Sequence, residues 1–455
     1  MDASAIINKQ RTYFRKGSTL SYESREKALT KLYLSIKTHE EEVLNALESD
    51  LGKNHIEGFF TEVGQVYKEL SYIKKHLKGL MKNKKVKSEL SDFPSKSFIS
   101  PHPYGVTLVI SPWNYPFLLS IDPVIGAIAA GNTVMIKPSE FSVATTKIIE
   151  KIMAVFDEEF IKVVTGGIEE TTDLLNQKLD YIFFTGSTNV GKIIMEKASK
   201  NLTPISLELG GKSPVIVDKK VNVKVAAKRI AFGKFLNAGQ TCIAPDYVFV
   251  HQDVKESFVQ YLKKSIEELY GNNPIESNDY GKIINDKHYQ RLLKLIDGGQ
   301  TIYGGNEDQL NKKISPTILD QVDLNSKVMN EEIFGPILPL ITFQSLEEVV
   351  VQINKNPNPL ALYLFTEDKE TEKYILDHCN FGGGCINDTI VQAGSHYLPF
   401  GGVGQSGIGS YHGDHTFKTF SHYRSVIKKS TKIDLKMRYA PYQKKTDKLI
   451  RKILK

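Results

Sequence analysis

Thr107-Leu108-Val109-Ile110-Ser111-Pro112-Trp113-Asn114-Tyr115-Pro116 is the stretch on which the fold turns. It opens as a run of β-forming residues and ends in prolines, an asparagine and two aromatics, so a strand gives way abruptly to a loop. Similar runs recur at Val134–Lys137, Ile161–Thr165 and Tyr181–Thr185, separated by segments of helical length such as Phe117–Ala130 and Val143–Phe156. Strand alternating with helix predicts βαβ units and a parallel sheet. Ligands at such a sheet bind beyond the carboxyl ends of its strands. The residues to read are therefore those that close each run. They are Asn114 after the first, Lys137-Pro138-Ser139-Glu140 after the second, and Thr185-Gly186-Ser187-Thr188-Asn189-Val190-Gly191-Lys192 after the fourth. A further run, Ile205–Leu209, holds Glu208 and leads into Gly210-Gly211-Lys212.

Outward from this core, residues 22–52 read as two helices, with Thr38 and Glu41 as a capping box for the second and Gly52 as its stop. Met81–Lys87 is a short basic segment, and Ser88–Pro103 reads as an extended excursion. A second α/β alternation follows residue 242, with strands at Tyr247–His251, Ile337–Thr342 and Leu362–Thr366 and helices at Lys255–Leu269 and Leu346–Asn354. Pro339 interrupts the middle strand.

The 455 residues correspond to about three domains. A composition of 41% hydrophobic and 24% charged residues is that of a globular protein with sizeable cores. Three scattered cysteines, Cys242, Cys379 and Cys385, make no disulfide framework and fit a reducing, cytoplasmic setting. Met1–Ser21 has no apolar stretch, so no export signal is expected. The net charge of +7 does not imply nucleic acid. From Lys428 onward eleven Lys or Arg face two Asp, and the rest of the chain sums to −2. In this tail Leu449, Ile450, Ile453 and Leu454 share one helical face, with Lys448, Arg451, Lys452 and Lys455 largely on the other. That pattern predicts weak peripheral contact with an anionic membrane surface.

One further stretch carries chemistry. A helix over Ala226–Leu236 runs into Asn237-Ala238-Gly239-Gln240-Thr241-Cys242, where Asn237 and Gly239 break it. A thiol just past such a break can face a substrate among free backbone N–H groups. Glu208, if it faces a buried cleft, is a base whose pKa burial raises. Asn114 offers an amide suited to an oxyanion. Gly186 and Gly191 let a helix open at a phosphate. Gly186 to Lys192 also matches a P-loop up to its last position, where Ile193 replaces the hydroxyl that should hold Mg²⁺. Gly402-Val403-Gly404-Gln405-Ser406-Gly407 is a literal dinucleotide fingerprint, yet it lies between no clear strand and no helix. His412, Asp414 and His415, and the Cys379 and Cys385 pair, are too sparse for a metal site.

Taken in order, these segments resemble the aldehyde dehydrogenase superfamily from about Arg25 to about Arg424. The resemblance rests on Pro112-Trp113-Asn114-Tyr115-Pro116, Lys137-Pro138-Ser139-Glu140, Phe184-Thr185-Gly186-Ser187, Leu207-Glu208-Leu209-Gly210-Gly211-Lys212 and Gly239-Gln240-Thr241-Cys242. Glu332-Ile333-Phe334-Gly335-Pro336 and Pro399-Phe400-Gly401-Gly402 continue it. Gly166–Thr171, Ala244-Pro245-Asp246-Tyr247 and Tyr411-His412-Gly413 resemble the class 3, or fatty aldehyde, branch. Members of that branch can carry a hydrophobic C-terminal anchor, which this sequence lacks.

The resemblance implies an α/β fold of two parallel-sheet domains with a small β oligomerisation arm. Residues 1–80 and 95–209 would form a variant Rossmann NAD(P)-binding domain, and 210–390 the catalytic domain. Residues 81–94 and 391–427 would form the arm, and 428–455 a basic tail. Cys242 would be the nucleophile, Glu208 the base that activates water, and Asn114 an oxyanion donor. Lys137 and Glu140 would meet the adenosine ribose, with Glu140 favouring NAD over NADP. Trp113, Gly186 and Ser187 would lie at the pyrophosphate, Glu332 at the nicotinamide ribose and Phe334 beside it. Tyr115 and Gly401–Gly413 would border the substrate tunnel. The implied reaction is oxidation of an apolar aldehyde by a homodimer. A P-loop nucleotide hydrolase, disfavoured by Ile193, and a catalytically silent scaffold are the competing readings.

Overall fold

In the computed structural model, which describes residues 2–356, 358–435, 438–442, 447 and 450–451, the first alternation forms a six-stranded sheet. Its order is Gly407–Ile408, Ile205–Glu208, Tyr181–Thr185, Val106–Ile110, Thr133–Lys137 and Ile161–Val163, with every pairing parallel except that of Gly407–Ile408. The chain builds outward from Val106–Ile110 in one direction, then returns to build outward on its other side. This reversal creates a crevice between the ends of Val106–Ile110 and Tyr181–Thr185, where doubly wound sheets bind ligands.

Alternate residues of these strands feed two cores. Val109, Val134, Ile136 and Phe183 pack under the helices Tyr22–Thr38, Gly64–Leu80 and Leu118–Ala130. Leu108, Ile110, Met135, Ile182 and Phe184 pack on the opposite face with Ile7 and Ile194. Both faces are covered, which is why the strands read as unbroken apolar runs. The helix Ala3–Arg15, which supplies Ile7, had no counterpart in the sequence reading.

The second alternation forms a seven-stranded sheet. Its order is Gln300–Tyr303, Thr317–Asp320, Ile337–Phe343, Tyr247–His251, Pro214–Val217, Ala361–Phe365 and Gly383–Ile386. Pro339 does not end its strand. Ile337, Leu338 and Pro339 pair with Thr317–Asp320, and Leu340–Phe343 pair with Tyr247–His251, so the missing N–H falls where the strand changes partner.

One expectation needs correction. Thr38 does not cap the helix Glu40–Leu51. It ends the preceding helix, where its hydroxyl donates back to the Leu34 carbonyl at 3.0 Å, and His39 takes the cap position without a side-chain bond. Ser95–Pro103 does not join the six-stranded sheet. It pairs antiparallel with Lys84–Val86 on one side and Ser421–Lys429 on the other, forming a separate three-stranded sheet that runs past residue 427. Lys448, Leu449, Lys452, Ile453, Leu454 and Lys455 of the amphipathic tail lie outside the described residues. Among the described residues no helix is long and apolar enough to cross a membrane.

Candidate active site

The helix Val223–Phe235 begins at Asn222, whose side chain accepts from the Val225 N–H, and buries Ala226, Ala227, Ile230 and Ala231. It ends in three consecutive left-handed residues, Asn237 (φ 53°), Ala238 (φ 51°) and Gly239 (φ 75°). Asparagine and glycine accept this conformation, whereas for alanine it costs about 1–2 kcal/mol. The turn persists because it is held from several sides. The Asn237 N–H donates to Glu57 Oε1 at 3.0 Å, and its side-chain amide donates to the Asn114 carbonyl at 2.8 Å. The Gln240 amide donates to the Lys282 carbonyl at 2.9 Å and accepts from the Ile284 N–H at 3.0 Å. A Cβ on Gly239 would come within 2.2 Å of the Gly335 carbonyl oxygen, so only glycine fits. Half-buried Cys242 follows.

Asn114 is buried beside this turn and donates from Nδ2 to the Gln240 carbonyl at 3.0 Å. The next residue, Tyr115, shares a 2.6 Å hydroxyl–hydroxyl bond with Thr241. Two charges that sequence reasoning missed hold this strand-end loop. Lys53 and Glu62, both fully buried, pair at 2.6 Å. Lys53 also donates to the Asn114 carbonyl at 3.1 Å and sits 3.9 Å from the Tyr115 ring centre. The second Glu62 oxygen accepts from the Phe117 and Leu118 N–H groups at 2.9 and 3.1 Å, a carboxylate cap on the helix that follows. The one available signal was two ionisable residues in an otherwise amphipathic stretch.

Glu208 ends its strand, and its carbonyl accepts from the Gly186 N–H at 2.9 Å. Its carboxyl group is buried, neither oxygen is hydrogen-bonded among the described residues, and desolvation pushes its pKa well above the ordinary value. The literal glycine fingerprint has a structural part here. The Ser406 carbonyl accepts from the Leu209 N–H at 3.0 Å and Gly407 pairs with Glu208, so this loop buttresses the strand that carries the carboxylate.

Glu332 lies against Gly210, where a Cβ would come 2.3 Å from Oε2. Burial first, then Asp246, pushes its pKa up to about 8, while the Gly211 N–H, Lys212 and Arg291 oppose the rise. Its loop is pinned to the catalytic sheet. Lys212 donates to Asp246 at 2.6 Å and to the Val328 and Glu331 carbonyls, and Asp246 accepts from the Ile333 N–H at 3.0 Å. Trp113 stands between Phe334 (5.3 Å, edge-on) and His288 (5.1 Å). Burial also pushes the Cys242 thiol up to about 12. The carboxylates Glu332 and Glu208 add to the rise, and the N–H groups of Cys242 and Ile243 oppose it. A thiolate here therefore needs a positive charge brought nearby.

Cys242, Asn114, Glu208 and Glu332 thus share one electrostatic neighbourhood. The remaining candidates line the crevice of the six-stranded sheet. Lys137 is buried, with its ammonium donating to the Pro138 carbonyl at 2.8 Å, and burial lowers its pKa. Glu140 is exposed at the same strand end. Across the reversal, exposed Ser187 caps the helix Thr188–Ser199, whose free N–H groups form an anion site. Gly191 has a packing part: a Cβ there would come 2.7 Å from Leu209. Lys192 and Ile193 are exposed on that helix. The unpartnered Glu332 oxygen, the helix end and the crevice suit a dinucleotide. His412 stacks on Phe400 and meets Tyr411 edge-on, and Asp414 accepts from the Tyr72 hydroxyl.

Residues 1–426 match the model of the aldehyde dehydrogenase family. A 4,4′-diaponeurosporen-aldehyde dehydrogenase of Staphylococcus aureus is 48% identical over 96% of this chain and 95% of its own length. The dimeric NADP-preferring aldehyde dehydrogenase of Canis lupus familiaris is 43% identical over 96% of this chain and 97% of its own. The solved substrate-bound state of Staphylococcus aureus AldH superposes with a TM-score of 0.97 at 47% identity, covering 99% of both chains. An indole-3-acetaldehyde dehydrogenase solved with NAD⁺ superposes at 0.86 with 25% identity, over 94% of this chain and 89% of its own. These matches leave the P-loop hydrolase reading without support, and with the parallel sheets and strand-end residues described above they assign the chain: it belongs to the aldehyde dehydrogenase family and is an oxidoreductase acting on aldehydes.

Proposed function

We propose that this chain oxidises an apolar aldehyde to the carboxylic acid with NAD(P), through a covalent intermediate on Cys242. The observation that carries the reading is a buried carboxylate with no partner, Glu208, in the electrostatic neighbourhood of a thiol presented on a strained turn. Cys242 attacks the carbonyl carbon as thiolate. The oxygen that becomes anionic faces the Asn114 amide and the Cys242 N–H, each such donor being worth roughly 3–4 kcal/mol in comparable sites. A nicotinamide held in the crevice would supply the hydride acceptor, and Cys242 is left carrying the acyl group on sulfur as a thioester. Glu208 then takes a proton from the attacking water, and collapse of the adduct releases the acid and returns the Cys242 thiolate. Glu332 would hold the nicotinamide-side ribose with Phe334 and Trp113 beside it, and Gly186, Ser187 and Gly191 would shape the pyrophosphate end. Lys137 and Glu140 take the adenosine ribose, with NAD preferred.

An apolar substrate is supported by two exposed apolar segments that Lys68 joins. Ile56, Phe59 and Phe60 are exposed on one side and Val391, Tyr397 and Leu398 on the other, and Lys68 bridges the two by donating to the Gly394 carbonyl. The Staphylococcus aureus relative is named for 4,4′-diaponeurosporen-aldehyde. A homodimer is supported by the exposed edge strand Ser421–Lys429 and by the dimeric canine relative. A cytoplasmic site of action is supported by the three free cysteines, and weak membrane contact of the basic tail completes the reading. The deciding experiment is NADH formation with short, long-chain and aromatic aldehydes, for wild type and Cys242→Ser. Turnover of the longer apolar aldehydes, lost in the variant, is expected. No turnover on any of them, or equal activity in the variant, would sink the reading.

A further inference from the structure

The loop after Gly383–Ile386 holds a backbone conformation that its residues do not favour. Asn387 and Ile390 both have positive φ, 58° and 55°, and for β-branched Ile390 this is a genuine outlier. Such strain survives only where the surroundings over-determine it, and it concentrates at working sites. Here the surroundings are the nucleophile's own helix. The Arg229 guanidinium donates to the Asn387 carbonyl and lies 3.7 Å from Asp388. Thr389 Oγ1 donates to the Arg229 carbonyl at 2.8 Å, and a Cβ on Gly233 would come 2.2 Å from that hydroxyl.

From this anchored loop a chain of polar groups runs inward. The Cys385 thiol donates to Gln392 Oε1 at 2.9 Å, which turns the Gln392 amide nitrogen toward the Tyr363 hydroxyl at 3.2 Å. The Tyr363 hydroxyl donates to the Ile243 carbonyl at 2.6 Å, and Tyr363 is fully buried. Ile243 follows the nucleophile, and the adjoining turn is closed by the Ala244 N–H to the Thr241 carbonyl at 3.0 Å. The Ile243 N–H is one of two that oppose the rise in the pKa of the Cys242 thiol. Val391, next to Gln392, is exposed.

We propose that Tyr363 and Gln392 are positioning residues for the nucleophile. By fixing the Ile243 carbonyl they hold the turn that presents the Cys242 sulfur, and they tie that turn to the strained loop of Asn387 and Ile390. The proposal rests on Cys242 being the reacting thiol, which the Cys242→Ser assay tests separately.

The test is the pH dependence of Cys242 alkylation by iodoacetamide, followed by mass spectrometry of the Cys242 peptide so that Cys379 and Cys385 do not interfere. Wild type, Tyr363→Phe, Gln392→Ala and Gln392→Glu are compared without cofactor. Tyr363→Phe should move the alkylation profile upward by about one pH unit and slow alkylation about tenfold on its rising limb. Gln392→Ala should act in the same direction by less, and Gln392→Glu, which keeps an acceptor but loses the donor, should resemble it. Gln392 is only half-buried, so its variants carry the test even if Tyr363→Phe does not fold. Profiles that superimpose on wild type overturn the proposal. So does slower alkylation at every pH with an unmoved profile, since that reports access to the sulfur and not its ionisation.

Discussion

Gly239 and Gly335 meet backbone to backbone: a methyl group on the first would lie 2.2 Å from the carbonyl oxygen of the second. This contact joins the turn that presents Cys242 to the loop that carries Glu332 and Phe334, so the thiol and the Glu332 carboxylate are positioned together. Gly239→Ala meets both the clash and a φ of 75°. We expect a loss of about 3 kcal/mol in urea unfolding. In the fraction that folds, NAD⁺ affinity should fall together with Cys242 alkylation. Loss of one without the other would show that the two loops move independently.

Glu62→Gln leaves the Lys53 ammonium buried without its counter-ion, and breaking a buried pair this way costs roughly 3–5 kcal/mol. Adding Lys53→Met removes the stranded charge. The double variant should recover at least half of the loss, because the glutamine oxygen can still accept from the N–H groups at Phe117 and Leu118. Urea midpoints of the two single variants and the double variant check this. A double variant no more stable than Glu62→Gln would mean that the helix cap, and not the ion pair, dominates.

The raised pKa of Glu208 sets the direction of a pH effect. A carboxyl group that burial holds protonated gains basic character as pH rises. Hydrolysis of the acyl group on Cys242 should therefore quicken about tenfold per pH unit until Glu208 is ionised. Glu208→Gln should flatten that dependence and slow hydrolysis by roughly 10²–10⁴. The pre-steady-state burst of NADH should survive in the variant. A lost burst would place the role of Glu208 before hydride transfer.

Glu332 gives a stability signature. Its pKa rises from 4.5 to about 8 in the folded chain, so between these values the native state holds a proton that the unfolded state has released. Stability from this group is present below the unfolded value and is lost as pH rises through the folded one, by at most about 1.4 kcal/mol per unit. Glu332→Gln should make the fall in melting temperature between pH 6 and pH 8.5 shallower. An unchanged slope would mean that the carboxylate is ionised throughout.

Exposed Glu140 offers a test of cofactor choice. A carboxylate at the adenosine ribose accepts from its hydroxyls and repels a 2′-phosphate. Glu140→Gln should narrow the ratio of NADP⁺ to NAD⁺ dissociation constants about tenfold, mainly through tighter NADP⁺. If the ratio does not move, the 2′-hydroxyl is read by another residue.

The strand ends were legible because one local pattern, a β-forming run stopped by Pro, Gly or Asn, places a residue at the crevice of a parallel sheet. Asn114, Lys137, Gly186 and Glu208 were reached this way. Most of what supports them was not. Lys53 and Glu62 reach the Asn114 loop from a segment whose periodicity speaks only of an amphipathic scaffold, and no local rule says that they turn inward. Ala238 has no sequence preference that would betray a left-handed residue. Tyr363 reads as one more apolar position in Leu362–Thr366, since its hydroxyl finds a partner only in the folded chain. The glycines divide the same way. Gly239 announces a turn, while Gly191 and Gly233 are small because something distant packs on them.

The pairing of Ser95–Pro103 with Ser421–Lys429 has a consequence for biosynthesis. At about 5–20 residues per second, the first strand leaves the ribosome on the order of tens of seconds before its partner is made. The strand bearing Glu208 waits likewise for Gly407–Ile408. Cys242 emerges during this interval, so a nascent chain carries its thiol while the strand that buttresses Glu208 is still unmade and one long strand edge is open to wrong partners. Completion of the last tenth of the chain is then the event that closes both edges at once, and variants that weaken Ser421–Lys429 should appear first as poor yield of soluble protein and only later as a kinetic defect.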